Sequence, residues 1–286
     1  MRSIVRGWGV KANETTKMII EHRIKNWNDL NDHLFADTWN PTIKRFRSTF
    51  AYRGVAEADY PLSTSLARLG VPYPNMERNL LKQFQKYAKT DVVEKDTDWH
   101  WLSVAQHHGL PTRLLDWTYS PFVALHFATE ALDAHPKKDA AVWKVNYSQV
   151  HEQLQKGQIH TLDKLGARIF SADALSATIK GLDDLDEFSA KNFEIAVFFE
   201  PSAIDDRITN QFAYFSVISD PKMSFDKWLQ LPHVNGKVDA VKIVIPSKLR
   251  WQIRDKLDQS NINERVLMTG LDGLCAWLKR HYKPTL

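Results

Sequence analysis

The sequence predicts an α+β fold: a single mixed domain with central strands and packed helices. Three observations carry that expectation. IAVFFE at 195–200 and VDAVKIVIP at 238–246 are short apolar runs of strand length. Other segments repeat apolar residues at the 3.6-residue period of a helix. No Gly-, Ser- or Pro-rich linker divides the 286 residues, and 43% of them are hydrophobic, ample for a real core.

The elements follow in chain order. TKMIIEHRI at 16–24 reads as a first strand. Trp27, Leu30, Leu34 and Thr38 then share one helical face, with Asn26 as the cap and Asp29 at the third helical position. Residues 1–46 thus supply a strand and a helix that lead into a larger unit at 47–285. AYRGV at 51–55 reads as the end of a short strand, turning at Gly54. Met76, Leu80, Phe84 and Tyr87 give a helix after Pro74. WHWLSVAQHH is a helix that Gly109 ends in a left-handed conformation and Pro111 stops from continuing. Ser120 and Pro121 start the next helix, PFVALHFATEAL, which is apolar enough to be buried on most sides. AAVWKVN at 140–146 is a strand. Residues 147–190 are weakly patterned and read as an insertion or a set of short helices over the core. Helices at 247–258 and 271–281 close the chain.

Composition removes several function classes. The formal charge is +4, from 38 basic and 34 acidic residues; it permits an anionic ligand without indicating nucleic acid. The single cysteine, Cys275, excludes an intramolecular disulfide and any multi-cysteine zinc site. It predicts a reducing, cytoplasmic setting, and its helical pattern predicts a buried, inert thiol. No apolar run is long enough to span a bilayer, so no membrane partner is expected. The absence of HExxH predicts no metal, and neither GxGxxG, GxxxxGK[ST] nor GxSxG occurs. Most of the ten tryptophans are expected in or beside the core.

Three stretches gather polar chemistry. QHHGLPTRLLDWT at 106–118 is the densest. Arg113 offers a planar fork of donors suited to a phosphate or carboxylate, and Asp116 can pair with it or orient a histidine; a pinned loop is the competing reading. His107 and His108 are adjacent and point apart on a helix, and His107 is the candidate for the site. His126, on an apolar helix, reads as a satisfied core histidine. The second stretch is TFAYRGVAEADYPLSTSLAR at 49–68. Arg53 stands at a strand end beside a glycine, a place to meet phosphate; Ser63, Thr64 and Ser65 can donate to a ligand or cap the following turn. In the third, DDRITNQFAYFSVIS at 205–219, Arg207 and Gln211 are four apart on one helical face, which Phe215 would extend.

Together these stretches resemble the FRG domain family, named for a Phe-Arg-Gly signature. The signature here is YRG, with Tyr52 in place of phenylalanine, then Arg53 and Gly54. LSTSLAR at 62–68, ERNLLKQFQKYA at 77–88 and QHHGLPTRLLDWTYSPFVALHFAT at 106–129 continue the resemblance. RITNQFAYF at 207–215 is similar to a later family segment, with Ala213 where glycine is common, and GLDGLCAWLKR at 270–280 is similar to its closing helix. The YRG element and the Ser-Thr-Ser run also resemble parts of arginine-class ADP-ribosyltransferases. That distant resemblance implies an ADP-ribosyltransferase-like fold and an NAD-dependent transferase or NAD glycohydrolase acting at the nicotinamide ribose. Arg53, Arg113, Asp116 and Arg207 would then face the cofactor NAD, and Ser63 or Ser65 its ribose. His107 or Gln211 would orient the ribose or the acceptor, and Glu200 would steady positive charge on the sugar. The partners implied are a small phosphorylated ligand and a protein or nucleic-acid acceptor. The alternative is a noncatalytic nucleotide- or nucleic-acid-binding module in a stress or phage-defence system.

Overall fold

The computed structural model describes residues 19–70, 75–88, 95–132, 136–202 and 205–284. One eight-stranded mixed sheet organises them, with helices against both faces. Strand β1 (Ile20–Arg23) is the described part of the first expected strand; residues 16–18 lie outside the described residues. Helix α1 (Trp27–Phe35) starts where expected, because the Asn26 side chain accepts from the Asp29 backbone amide at 3.0 Å. It ends earlier than Thr38, which is buried beyond the helix and donates its hydroxyl hydrogen to the Phe35 carbonyl at 2.7 Å. A small hairpin, β2 (Trp39–Asn40) with β3 (Arg45–Phe46), leads to β4 (Phe50–Val55).

Gly54 does not turn the chain: it lies inside β4. A Cβ there would meet the Ala124 carbonyl oxygen at 2.0 Å and the Ala128 nitrogen at 2.4 Å. The residue is small so that a helix backbone can press against the strand. The residue before the arginine is explained too. The Tyr52 hydroxyl donates to the Leu34 carbonyl at 2.9 Å, and Lys144, its partner across the ladder, donates to the Ala36 carbonyl at 2.5 Å. Two neighbouring strands thereby satisfy carbonyls that the end of α1 leaves open.

The middle of the chain adds α2 (Ser65–Arg68), α3 (Asn75–Tyr87) and α4 (Asp98–His107). Gly109 follows α4 with φ of 84°, the left-handed stop that its position predicts. Leu115–Thr118, expected as part of a loop, is strand β5. Helix α5 (Pro121–Thr129) is capped by Ser120 and packs against β4. Then come β6 (Ala140–Asn146) and the weakly patterned region, which holds α6 (Tyr147–His151), α7 (Lys156–Leu165), β7 (Phe170–Ser171), α8 (Ala172–Thr178) and α9 (Leu182–Ala190). The rest is β8 (Ala196–Glu200), α10 (Asp206–Gln211), β9 (Ala213–Ile218), α11 (Phe225–Trp228), β10 (Ala240–Ile245), α12 (Arg250–Gln259), α13 (Glu264–Leu267) and α14 (Leu271–His281). Phe215 therefore does not extend the face of Arg207 and Gln211. Phe212 takes φ of 50° and ends α10, and Phe215 belongs to a strand.

The strand order is β1-β10-β6-β4-β5-β9-β8-β7. Only the outermost pairs, β1 with β10 and β7 with β8, are parallel. Along β6, Ala140 and Val142 face the core under α1, α5 and α12, while Ala141, Trp143 and Val145 face the other core, built with α6 and α11. A third core lies between α3, α4, α8, α9 and the inner face of β8 and β9. The sheet has a seam: β4 pairs with β6 along all its residues, Phe50 to Val55, but with β5 only through Tyr52 and Thr118. Cys275 is exposed rather than buried, because α14 buries Gly273 and turns the thiol outward. Trp39, 51% exposed, departs from the expected burial of tryptophans. Among the described residues no helix is long and apolar enough to cross a membrane.

Candidate functional site

The seam between β4 and β5 opens into a cleft of about 750 Å³. That is roomy enough for a dinucleotide-sized ligand. Its walls come from β4 and the residues after it, the end of α4, β5, the end of α5, α10 and the start of β9. Six of the residues singled out in the sequence line it: Arg53, Ser63, His107, Asp116, Arg207 and Gln211. Three do not: Ser65, Arg113 and Glu200.

Arg53 bridges the seam. Its Nη1 donates to the Asp116 backbone carbonyl at 2.5 Å and lies 3.6 Å from the Asp116 carboxylate. It replaces a rung that the β4–β5 ladder lacks. Its Nε is buried with no hydrogen-bond partner. Burial is the main cause that lowers the Arg53 pKa; Asp116 opposes it and the like charge of Arg68 adds to it. An anion in the cleft would offset the buried charge.

Asp116 is fixed from the other side. Gln106 Nε2 donates to both its carboxylate oxygens, at 3.1 and 3.0 Å, and Gln106 Oε1 accepts from Thr112 Oγ1 at 2.6 Å. The carboxylate settles which way the amide faces, since it can only accept and so takes the amide's NH2 end, which leaves the oxygen for the threonine hydroxyl. His107 Nε2 pairs with Asp205 Oδ2 at 2.6 Å, and Asp205 in turn caps α10 by accepting from the Ile208 amide at 3.1 Å. The end of α4 is thereby tied to the start of the helix that carries Arg207 and Gln211. Gln211 is tethered as well, its Nε2 donating to the Leu267 carbonyl at 2.9 Å.

The residues outside the cleft have clear structural work. Arg113 is 1% exposed; its Nε donates to Glu77 at 2.9 and 2.7 Å and its Nη1 to Asp186 at 2.7 Å. Its fork is used up pinning the loop to α3 and α9, so it does not reach a ligand in the cleft. Ser65 Oγ accepts from the Thr112 amide at 3.1 Å, which staples α2 to the same loop. Glu200 is excluded by strand alternation. Phe215 faces the cleft, whereas Tyr214 and Glu200 hydrogen-bond to each other beside Tyr147 on the opposite side of the sheet.

Two charged residues of the cleft were missed from sequence: Arg68 and Glu130. Arg68 donates to the Ser63 carbonyl at 2.7 Å, and among the described residues neither Arg68 nor Arg207 is within salt-bridge range of an acid. Glu130 follows the last turn of α5, with its side chain 38% exposed into the cleft yet walled in by protein. That enclosure raises its pKa from 4.5 to about 7, against the opposing charges of Arg254 and Arg207. A signal existed in HFATE: Glu130 is one helical turn beyond His126, the lone acid at the end of an apolar helix. Among the described residues no group of three or more His, Cys, Asp or Glu could hold a metal ion.

The tethered loop, the arginine at the seam and the helix pressed on Gly54 all fall in one stretch of chain. Residues 48–137 match the FRG domain family. The FRG match holds Arg53, Ser63, Arg68, His107, Asp116 and Glu130; Arg207 and Gln211 lie beyond it. No curated protein and no solved structure matches the chain.

Proposed function

We propose that the cleft binds a pyrophosphate-linked nucleotide and cleaves NAD at the nicotinamide ribose, as an NAD glycohydrolase or an ADP-ribosyltransferase. One observation carries the reading: a carboxyl group near pH 7, Glu130, shares a single cleft with three guanidinium groups, Arg53, Arg68 and Arg207. A module that only held phosphates would gain nothing from enclosing an acid among its arginines. A general base works best when its pKa is near the working pH.

In this reading Arg53 and Arg68 take the pyrophosphate and Ser63 the adjoining ribose. The C1′–N bond breaks with both electrons leaving on nicotinamide, whose ring charge is thereby lost. The positive charge that develops on the ribose is stabilised by the acids of the cleft. Water, or an acceptor's nucleophile, then bonds to C1′ and gives its proton to Glu130. Gln211, His107 and Asp116 orient the sugar and the incoming group. The products are nicotinamide, ADP-ribose on water or on the acceptor, and one proton.

The test is chromatographic detection of nicotinamide after incubation of the full chain with NAD, alone and with protein and nucleic-acid acceptors, beside calorimetric titration of NAD. Release that is lost in Glu130→Gln supports the reading. Binding without release would leave a noncatalytic nucleotide-binding module, and neither binding nor release under any of these conditions would end the proposal.

A further inference from the structure

His126 is fully buried on α5 and does not line the cleft. Its Nδ1 lies 2.8 Å from Arg254 Nη1. A guanidinium has only hydrogens to offer, so Nδ1 must accept and the ring proton must sit on Nε2. That Nε2 is buried with no hydrogen-bond partner. Across from it, 3.7 Å away and one turn along, is Glu130 Oε2. The gap is longer than a hydrogen bond, and a shift of about 0.7 Å closes it.

Arg254 is itself held. Its Nη2 donates to Glu264 Oε1 at 2.6 Å; Arg280 Nε donates to the same oxygen at 2.8 Å; and Arg280 grips both oxygens of Asp258 at 2.7 and 2.8 Å. Arg280 and Arg254 thus converge on Glu264, Arg254 reaches on to His126, and the ring hydrogen left on His126 Nε2 stands opposite the cleft's acid; Arg254 Nε is the other buried donor here with no partner.

We propose that His126 is a positioning residue for Glu130: fixed by Arg254 as the neutral Nε2–H tautomer, it donates to the Glu130 carboxylate and holds it turned into the cleft. The proposal deepens the reading of Glu130 as the base and rests on it for its functional meaning. Burial, reinforced by the charge of Arg254, lowers the His126 pKa to about 3, so the ring remains a neutral donor while Glu130 titrates. The other charged groups facing Glu130 are Arg254 from α12, Glu264 from α13 and Arg207 from α10. Burial lowers the Arg254 pKa, with the charge of Glu264 opposing it, from a starting value far above neutrality. Burial pushes Glu264 up, but hydrogen bonds from Arg280 and the charges of Arg254 and Arg280 outweigh it and hold the acid at about 2. Of the two acids, Glu130 is the one that changes charge near neutrality.

The experiment follows the His126 ring nitrogens in the full chain labelled with 15N-histidine, from about pH 5 to about pH 9, in the wild type and in Glu130→Gln. The expected result is an Nε2–H tautomer throughout, with an Nε2 resonance that shifts with a midpoint of about 7 in the wild type and stays flat in the variant. A proton on Nδ1, or an Nε2 resonance indifferent to Glu130, overturns the proposal. These spectra need no substrate, so a chain that fails to cleave NAD would sink the proposed reaction and leave the tautomer to decide His126 by itself. Where NAD is cleaved, His126→Phe should lower kcat about tenfold or more with KM unchanged, and His126→Gln, which keeps a donor, should restore most of it. Wild-type kcat in a folded His126→Phe would also overturn the proposal, and if that variant does not fold the spectra still decide.

Discussion

A methyl group added at Gly54 would lie 2.0 Å from the Ala124 carbonyl oxygen, 2.4 Å from the Ala128 nitrogen and 3.0 Å from the Phe127 carbonyl carbon. All three atoms are backbone of α5. They are locked in the helix's own ladder and cannot swing aside as a side chain would. Restoring ordinary contact of about 3.5 Å requires α5 to move off β4 by roughly 1.5 Å. Val123, Ala124, Leu125 and Ala128 are all fully buried on α5, so that movement opens gaps in a close-packed layer. Overpacking in yielding cores costs about 1–3 kcal/mol, and with backbone as the obstacle Gly54→Ala should cost about 3 kcal/mol or more. For a chain of this size that lowers Tm by about 6–12 °C. Thermal unfolding followed by circular dichroism would read it, with Gly109→Ala as the contrast. Gly109 has φ of 84° and nothing within 4 Å of an added Cβ, so alanine there meets only backbone strain, about 1–2 kcal/mol. A Gly54→Ala protein that melts within about 2 °C of the wild type would refute the close-approach account of the YRG glycine.

Other outcomes follow from the same geometry. Arg113→Met strands Glu77, 1% exposed, without its cation; denaturant unfolding should show a loss of about 3–5 kcal/mol, much of it recovered when Glu77→Met is added. Between pH 4.5 and about 7 the native chain holds the Glu130 proton more tightly than the unfolded chain, so stability falls as pH rises through that window. Glu130→Gln should flatten this slope in melts taken across the window. If the cleft takes NAD as proposed, Arg68→Ala and Arg207→Ala should each raise its Kd about tenfold or more and weaken the salt dependence, as calorimetry at two salt concentrations would show.

Much of this was legible because local chemistry and final structure agree. Asn26, Gly109 and Ser120 mark helix ends by the bonds and dihedral angle they provide, and each does so in the fold. Apolar runs gave β6, β8 and β10. Strand β5 was hidden because LDWT is short and follows a loop rich in turn residues, and β9 because QFAYF continues a helical spacing that Phe212 breaks by its backbone angle alone. In the site, Arg53 and Arg113 look alike as sequence. What separates them is Glu77, 36 residues from Arg113, and the spacing of a chain says nothing about which acid folds onto which arginine. Glu200 failed for a related reason: one residue along a strand reverses the face it presents. HFATE marks the place of Glu130, a lone acid closing an apolar helix, but its raised pKa comes from enclosure by segments distant in the chain.

With its lone Tyr52–Thr118 rung, the β4–β5 join is the shortest ladder between neighbouring strands in the interior of the sheet. β4 forms one bank of that join, with β5 and β9 forming the other, and the cavity opens onto both. An occupant touching both banks acts as a splint. Loading would then need no lid to swing, and slower amide hydrogen exchange along β4 and β5 would report it.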